Sequence, residues 1–139
     1  MSRLAPVSVT VHPYECDSYG HLNEASFLQL FERARWEALA RGPGMELFRR
    51  HGIWPAVRRA TVDYHHPAFP GDVLEVELDL EKLGRTSLEL RHRARRIKDD
   101  VLVAEAHLVF VMIDSSGNPT PVPEDLAEFF GSRVSTRTR

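Results

Sequence analysis

The chain has a single cysteine among its 139 residues, Cys16, which excludes an intrachain disulfide framework and a zinc site built from several thiolates. No stretch approaches the roughly 18 consecutive apolar residues that span a bilayer. The first residues, Met1-Ser-Arg-Leu-Ala-Pro, lack the apolar core of a signal peptide. These absences point to a soluble, cytoplasmic setting without membrane insertion. An excess of charge of one sign is missing too: 18 Lys plus Arg stand against 20 Asp plus Glu, a net charge of -2. No overall field attracts a polyanion, so nucleic acid is an unfavourable main partner. The seven histidines include no His-Glu-x-x-His pair and have no cysteine partners at ligand spacing, and the adjacent His65 and His66 would leave a strand on opposite faces. A metal site is not expected. Gly42-Pro-Gly and Gly84-Arg read as isolated turns rather than phosphate loops.

What is present is enough for one domain. With 42% hydrophobic and 27% charged residues, a chain of this length buries about two thirds of its unfolded surface. The expected domain runs over residues 1–130. Residues 131–139 are Ser, Thr and Arg with a single Val after Gly131 and read as a flexible polar tail.

Periodicity orders the elements. Val7, Val9 and Val11 alternate with Ser8, Thr10 and His12, the two-residue period of a half-buried strand, which Pro13 interrupts. Phe27, Leu30, Phe31, Ala34, Ala38 and Leu39 form one apolar stripe of a helix over about residues 24–41. Gly42, Pro43 and Gly44 stop it, and a short helix over residues 45–51 is expected to follow. A run of strands begins at 57–65. Leu74, Val76, Leu78 and Leu80 alternate with Glu75, Glu77, Asp79 and Glu81. After a turn at Gly84, Leu88, Leu90 and Ala94 alternate with Glu89, Arg91, Arg93 and Arg95. A hairpin through Gly84 sets the Arg row against the acidic row, an ion-pair lattice rather than a nucleic-acid stripe. Residues 101–113 are apolar on both parities except Glu105 and His107, which predicts a central strand covered on both sides. Ser115-Ser-Gly-Asn-Pro makes a turn, and residues 123–130 form a last short helix. One long helix and five strands without crossover helices give an α+β fold, an antiparallel sheet wrapped around the helix.

The stretch that can carry chemistry is Tyr14-Glu-Cys-Asp-Ser-Tyr-Gly-His-Leu-Asn-Glu-Ala-Ser-Phe, which runs into the long helix. A helix N-terminus presents unpaired N–H groups and partial positive charge, suited to a developing oxyanion. Asp17, just ahead of it, can act as nucleophile or general base on a carbonyl polarised there. The same residue types also make ordinary turns and N-caps, Asn23 above all. Cys16 with His21 suggests a thiol nucleophile, but a lone cysteine is more often a small buried hydrophobe.

This stretch resembles the signature of hotdog-fold acyl-CoA thioesterases of the 4-hydroxybenzoyl-CoA thioesterase family. Asp17, Gly20, His21, Leu22 and Asn23 match that pattern. Phe31-Glu-Arg-Ala-Arg-Trp-Glu is similar to the family's Glu-x-Ala-Arg helix. Pro67-Ala-Phe-Pro-Gly-Asp-Val-Leu resembles its approach to the central strands, and Met112-Ile-Asp-Ser-Ser-Gly-Asn-Pro-Thr-Pro-Val-Pro its closing turn. The four blocks occur in the family's order over about residues 5–130.

The resemblance implies a hotdog fold and hydrolysis of an acyl-CoA to a carboxylic acid and free coenzyme A. It implies Asp17 as the catalytic carboxylate and the backbone N–H of Glu24 as the group that polarises the carbonyl. Glu24 stands where relatives often have a second Asn. Tyr14, Gly20, His21 and Asn23 would orient the loop or meet the substrate. Phe27, Phe31, Tyr64 and Phe69 are candidates to line the pocket, and Arg58, Arg59 and Arg85 to meet coenzyme A phosphates. No cofactor is implied, coenzyme A being part of the substrate. A homodimer or homotetramer with sites at the subunit boundary is implied as well. The competing readings are a hotdog-type thioester hydratase or dehydratase, and a non-catalytic acyl-CoA binding module.

Overall fold

The computed structural model describes residues 4–131. Strand β1 (Val7–Thr10) is followed by a short 3-10 turn (Pro13–Glu15) and the long helix α1 (Glu24–Ala40). Then come α2 (Glu46–Arg49), β2 (Trp54–Tyr64), β3 (Val73–Leu83), β4 (Ser87–Arg96), β5 (Val101–Ile113) and α3 (Glu124–Gly131). The strands form one antiparallel sheet in the order β1-β3-β4-β5-β2. This is the hotdog arrangement: a sheet curled around a single long helix.

The apolar stripe read from the sequence is the buried side of α1. Phe27, Leu30, Phe31, Ala34, Ala38 and Leu39 all face the sheet. They meet the inward parities of β3 (Leu74, Val76, Leu78), β4 (Leu88, Leu90, Ala94) and β5 (Ala104, Ala106, Leu108, Phe110, Met112). Burying a ring such as Phe31, which has no exposed surface, contributes so much that Phe→Ala at such a site costs about 3–5 kcal/mol. The acidic and basic rows meet on the other face. Glu75 pairs with Arg95, Glu77 with Arg93 and Asp79 with Arg91 in register, and Arg93 reaches Glu77 at 3.2 Å.

Four details differ from the sequence reading. Strand β5 lies inside the sheet, but α1 covers only one face of it. Glu105, His107, Val109, Val111 and Ile113 stand half-buried on the other face. Strand β2 starts at Trp54, three residues earlier than the apolar pattern indicated, because a bulge at Arg58 shifts its parity. It also ends at Tyr64, so His65 and His66 lie past the strand, and both backbone N–H groups donate to the Val103 carbonyl. Gly131, assigned to the tail, is buried at the end of α3; the rest of the expected tail lies outside the described residues.

Candidate active site

The loop between the 3-10 turn and α1 is closed by its own backbone. Cys16 and Leu22 bridge in antiparallel fashion. The Asp17 N–H donates to the His21 carbonyl at 2.8 Å, and the Gly20 N–H donates to the Asp17 carbonyl at 2.9 Å. Gly20 takes φ of +84°, a left-handed conformation that side chains disfavour. The space around it is open, so glycine is required here for conformation and not for room.

The Asp17 carboxylate lies inside this turn. Its Oδ1 accepts from the backbone N–H of Tyr19 at 3.0 Å and of His21 at 3.2 Å. Both bonds fall on the same oxygen, so among the described residues Oδ2 has no protein partner. The side chain is exposed.

The loop is fastened at three further points. The Asn23 N–H donates to the Glu15 carbonyl at 3.0 Å, and the Leu22 N–H to the Ala68 carbonyl at 2.7 Å. The buried carboxylate of Glu15 accepts from the His12 N–H at 2.8 Å and meets Arg33 of α1 at 3.4 Å. The neighbouring segment 66–72 is held in turn by Asp72, also buried, which accepts from the Phe69 N–H at 2.9 Å and pairs with Arg96 at 3.5 Å. Glu15, Asp72 and Arg96 were not singled out in the sequence. The one signal available was Asp72 after Pro-Gly, where a carboxylate commonly closes a turn.

Asn23 caps α1: its Oδ1 accepts from the Ala25 N–H at 2.9 Å. Glu24 is the first residue of the helix, and an N–H in the first turn has no intrahelical acceptor. Tyr64, at the end of β2, donates its hydroxyl to the Glu24 carbonyl at 3.0 Å, and its ring meets Phe27 edge-on at 5.4 Å. Burial, with Glu24 nearby, pushes the Tyr64 phenol above its usual range. The ring of His21 meets Phe69 edge-on at 5.2 Å.

The remaining candidates fall in different places. Tyr14 is 80% exposed and stacks on His12 at 5.4 Å. Phe27 and Phe31 are closed into the core, whereas Tyr64 (49%) and Phe69 (41%) remain accessible. Arg58 is the bulge residue of β2, and Arg59 pairs with Val109 on the outer face. Arg85 lies in the β3–β4 turn, where its carbonyl accepts from the Val122 N–H. That turn is at the far end of β3 from the segment before Val73, roughly 30 Å along the strand. Within one chain these three arginines are not brought to Asp17. Cys16 is likewise not set up as a nucleophile. Burial, then Glu15 and Asp17, push its thiol pKa up, and its Sγ lies 3.7 Å from the His12 carbonyl. Among the described residues no group of three or more His, Cys, Asp or Glu could hold a metal ion, and no helix is long and apolar enough to cross a membrane.

The arrangement thus places a carboxylate oxygen and a helix N-terminus on the two sides of one short loop. Known proteins resemble the chain in sequence and in overall fold. The sequence model of the thioesterase-like superfamily matches residues 11–130. The long-chain acyl-CoA thioesterase FadM of Escherichia coli is 30% identical over 106 residues, covering 76% of this chain and 80% of that protein. Among solved structures, the probable thioesterase YbaW of Escherichia coli superposes with a TM-score of 0.80 at 27% identity, over 90% of this chain and 95% of that one. A Thermus thermophilus thioesterase solved with coenzyme A and Zn superposes with a TM-score of 0.76 at 30% identity, over 92% of both chains. The chain belongs to the thioesterase-like superfamily.

Proposed function

We propose that the protein is an acyl-CoA thioesterase in which Asp17 and the backbone N–H of Glu24 act on the two ends of the reacting carbonyl. The thioester oxygen accepts from the Glu24 N–H, at the positive end of α1. As the carbonyl carbon becomes tetrahedral the oxygen gains charge, and the bond strengthens where it lowers the barrier. One donor of this kind is worth about 2.7–4 kcal/mol in the transition state. The Oδ2 of Asp17 either attacks the carbon, expelling the coenzyme A thiolate and forming an acyl-aspartyl anhydride that a water then hydrolyses, or takes a proton from a water that attacks the carbon and expels the thiolate. In both cases the thiolate takes up a proton and the acyl group ends as a carboxylic acid.

The observation that carries this reading is the division of labour within the Asp17 carboxylate. Oδ1 is committed to two backbone N–H groups, which fix the group's orientation and leave Oδ2 for chemistry. The relatives' names support the substrate class: FadM is a long-chain acyl-CoA thioesterase, and a related structure holds coenzyme A.

The two sheet edges support a homodimer. Strand β1 is four residues long, and Arg33 of α1 and Arg41 just after it donate to the carbonyls of Thr10 at its end and Pro6 before it. Strand β2 is eleven residues long and ends the sheet on the other side. An open edge of that length pairs with a second copy.

The test is release of free thiol from acyl-CoA substrates of increasing length, an aromatic acyl-CoA and an acyl carrier protein thioester. Thiol released with equimolar acid is the expected result. Binding without thiol release contradicts the reading and indicates a carrier module, and loss or gain of water on an intact thioester indicates a hydratase.

A further inference from the structure

The N–H groups that open α1 are nearly all spoken for. The Asn23 carbonyl accepts from Ser26 at 2.9 Å and from Phe27 at 3.2 Å, and the Asn23 Oδ1 accepts from Ala25 at 2.9 Å. Among the described residues the Glu24 N–H alone of this first turn has no protein partner.

The peptide unit next to that free donor, between Glu24 and Ala25, is gripped at both ends. Its N–H is the one that the Asn23 side chain accepts, and its carbonyl accepts the Tyr64 hydroxyl at 3.0 Å. The two grips come from different parts of the fold. Asn23 belongs to the loop that carries Asp17, whereas Tyr64 is the last residue of β2 and pairs in register with Ala104 of β5. Just beyond it the N–H groups of His65 and His66 donate to the Val103 carbonyl at 2.8 and 3.1 Å. The Tyr64 backbone is thus part of the sheet, and its hydroxyl ties the start of the helix to it.

Core packing does not account for a tyrosine here. The ring stands edge-on to Phe27, with 72° between the planes, but about half of Tyr64 is exposed. Water can serve the hydroxyl of a half-exposed side chain, so burial does not demand its bond to a helix carbonyl. Burial and then Glu24 raise the phenol's pKa, which keeps the proton on the hydroxyl well past neutral pH, as a donor requires.

We infer that Tyr64 is a positioning residue for the reaction, aligning the Glu24 N–H with the thioester oxygen by holding the peptide unit beside it. The inference rests on the thioesterase reading above. A donor stabilises a developing oxyanion only when it already points at the place the charge will occupy. Helix ends fray, and a small rotation of the first turn re-aims the Glu24 N–H. Asn23 holds that turn from the loop, and Tyr64 adds a fixed point from the sheet. Because the bond to the oxygen strengthens in the transition state, lost alignment lowers kcat and spares ground-state binding.

The test is Tyr64→Phe, which keeps the ring against Phe27 and removes only the hydroxyl. In thiol release from acyl-CoA, kcat should fall about three- to tenfold, with KM and the thermal midpoint little changed. A purely structural contact would instead move the midpoint and leave kcat. A ketone analogue, with a methylene in place of the thioester sulfur and an isotopic label at the carbonyl carbon, reads the donor directly by infrared spectroscopy. Binding to the wild-type protein should move its carbonyl band to lower frequency, and binding to Tyr64→Phe should move it less. An unchanged kcat overturns the inference, as does a loss carried by KM alone or a lowered kcat with equal band shifts in the two proteins. A wild-type band that binding does not lower overturns it too, since there is then no bond to align. If the wild-type protein releases no thiol, the thioesterase reading fails by itself. The ketone bands then decide the Tyr64 contact: a smaller shift in Tyr64→Phe sustains it, and equal shifts remove it.

Discussion

Two stretches of this chain are rich in acids, and they use them in opposite ways. On β3 and β4, Glu77 and Asp79 face Arg93 and Arg91 across a regular ladder, so each charge is spent on a side chain of opposite sign. In the loop before α1, Asp17 directs one oxygen at backbone N–H groups and leaves the other unclaimed. The ladder's partners are side chains of opposite sign that screen one another, and the net worth of such pairs is small. The loop's partners are backbone atoms fixed by a turn, which orients a carboxylate without neutralising it. The difference between pairing a charge and aiming it separates a structural surface from a reactive one.

Four changes sharpen that contrast, the first through the core behind the ladder. Arg91, Arg93 and Arg95 occupy one face of β4, and His92 points from the other face into the interior. Its folded pKa is lowered from 6.5 to about 3, first by burial and then by Arg35. Below pH 6.5 the unfolded chain takes up a proton here that the folded chain refuses. Stability is therefore complete above pH 6.5 and falls as the pH drops, by up to about 1.4 kcal/mol per unit. Thermal unfolding between pH 6.5 and 4.5 should show this fall, and His92→Leu should flatten it. An unchanged slope in that variant would place the pH sensitivity in the ladder instead.

Gly20→Ala comes next. The left-handed backbone at this position costs a side chain roughly 1–2 kcal/mol, and relief of that strain disturbs the turn that aims Asp17. Turnover should drop about tenfold with only a modest loss in denaturation midpoint; equal activity would mean the turn does not position the carboxylate. Asn23→Ala removes the cap on Ala25 and should cost about 1 kcal/mol in urea unfolding. Glu77→Gln breaks one ladder pair and should shift stability by less than about 1 kcal/mol, with kcat unaltered. A Glu77 variant that lost turnover would erase the distinction between the two acid-rich stretches.

The fold was legible where burial repeats with a period. The stripe from Phe27 to Leu39 fixed α1 nearly to its ends, and alternation in β3 and β4 gave their pairing, because one apolar face forces one register. Less was legible in β2, where the bulge at Arg58 breaks the parity. Coverage of β5 was misread because apolar residues on both parities describe a strand inside a sheet without saying how many faces a helix covers. Within the site, the motif pointed to Asp17 and Asn23. It could not give the pairs Glu15–Arg33 and Asp72–Arg96, which arise from contacts between distant segments.

Kinetics of Asp17→Asn test the central claim most directly. The amide keeps an oxygen able to accept from the Tyr19 and His21 N–H groups, so the loop should keep its shape while the basicity and charge at Oδ2 disappear. A loss of about a hundredfold or more in kcat, with coenzyme A binding and thermal stability retained, is the predicted result. Thiol release at the wild-type rate by a folded Asp17→Asn protein would contradict it.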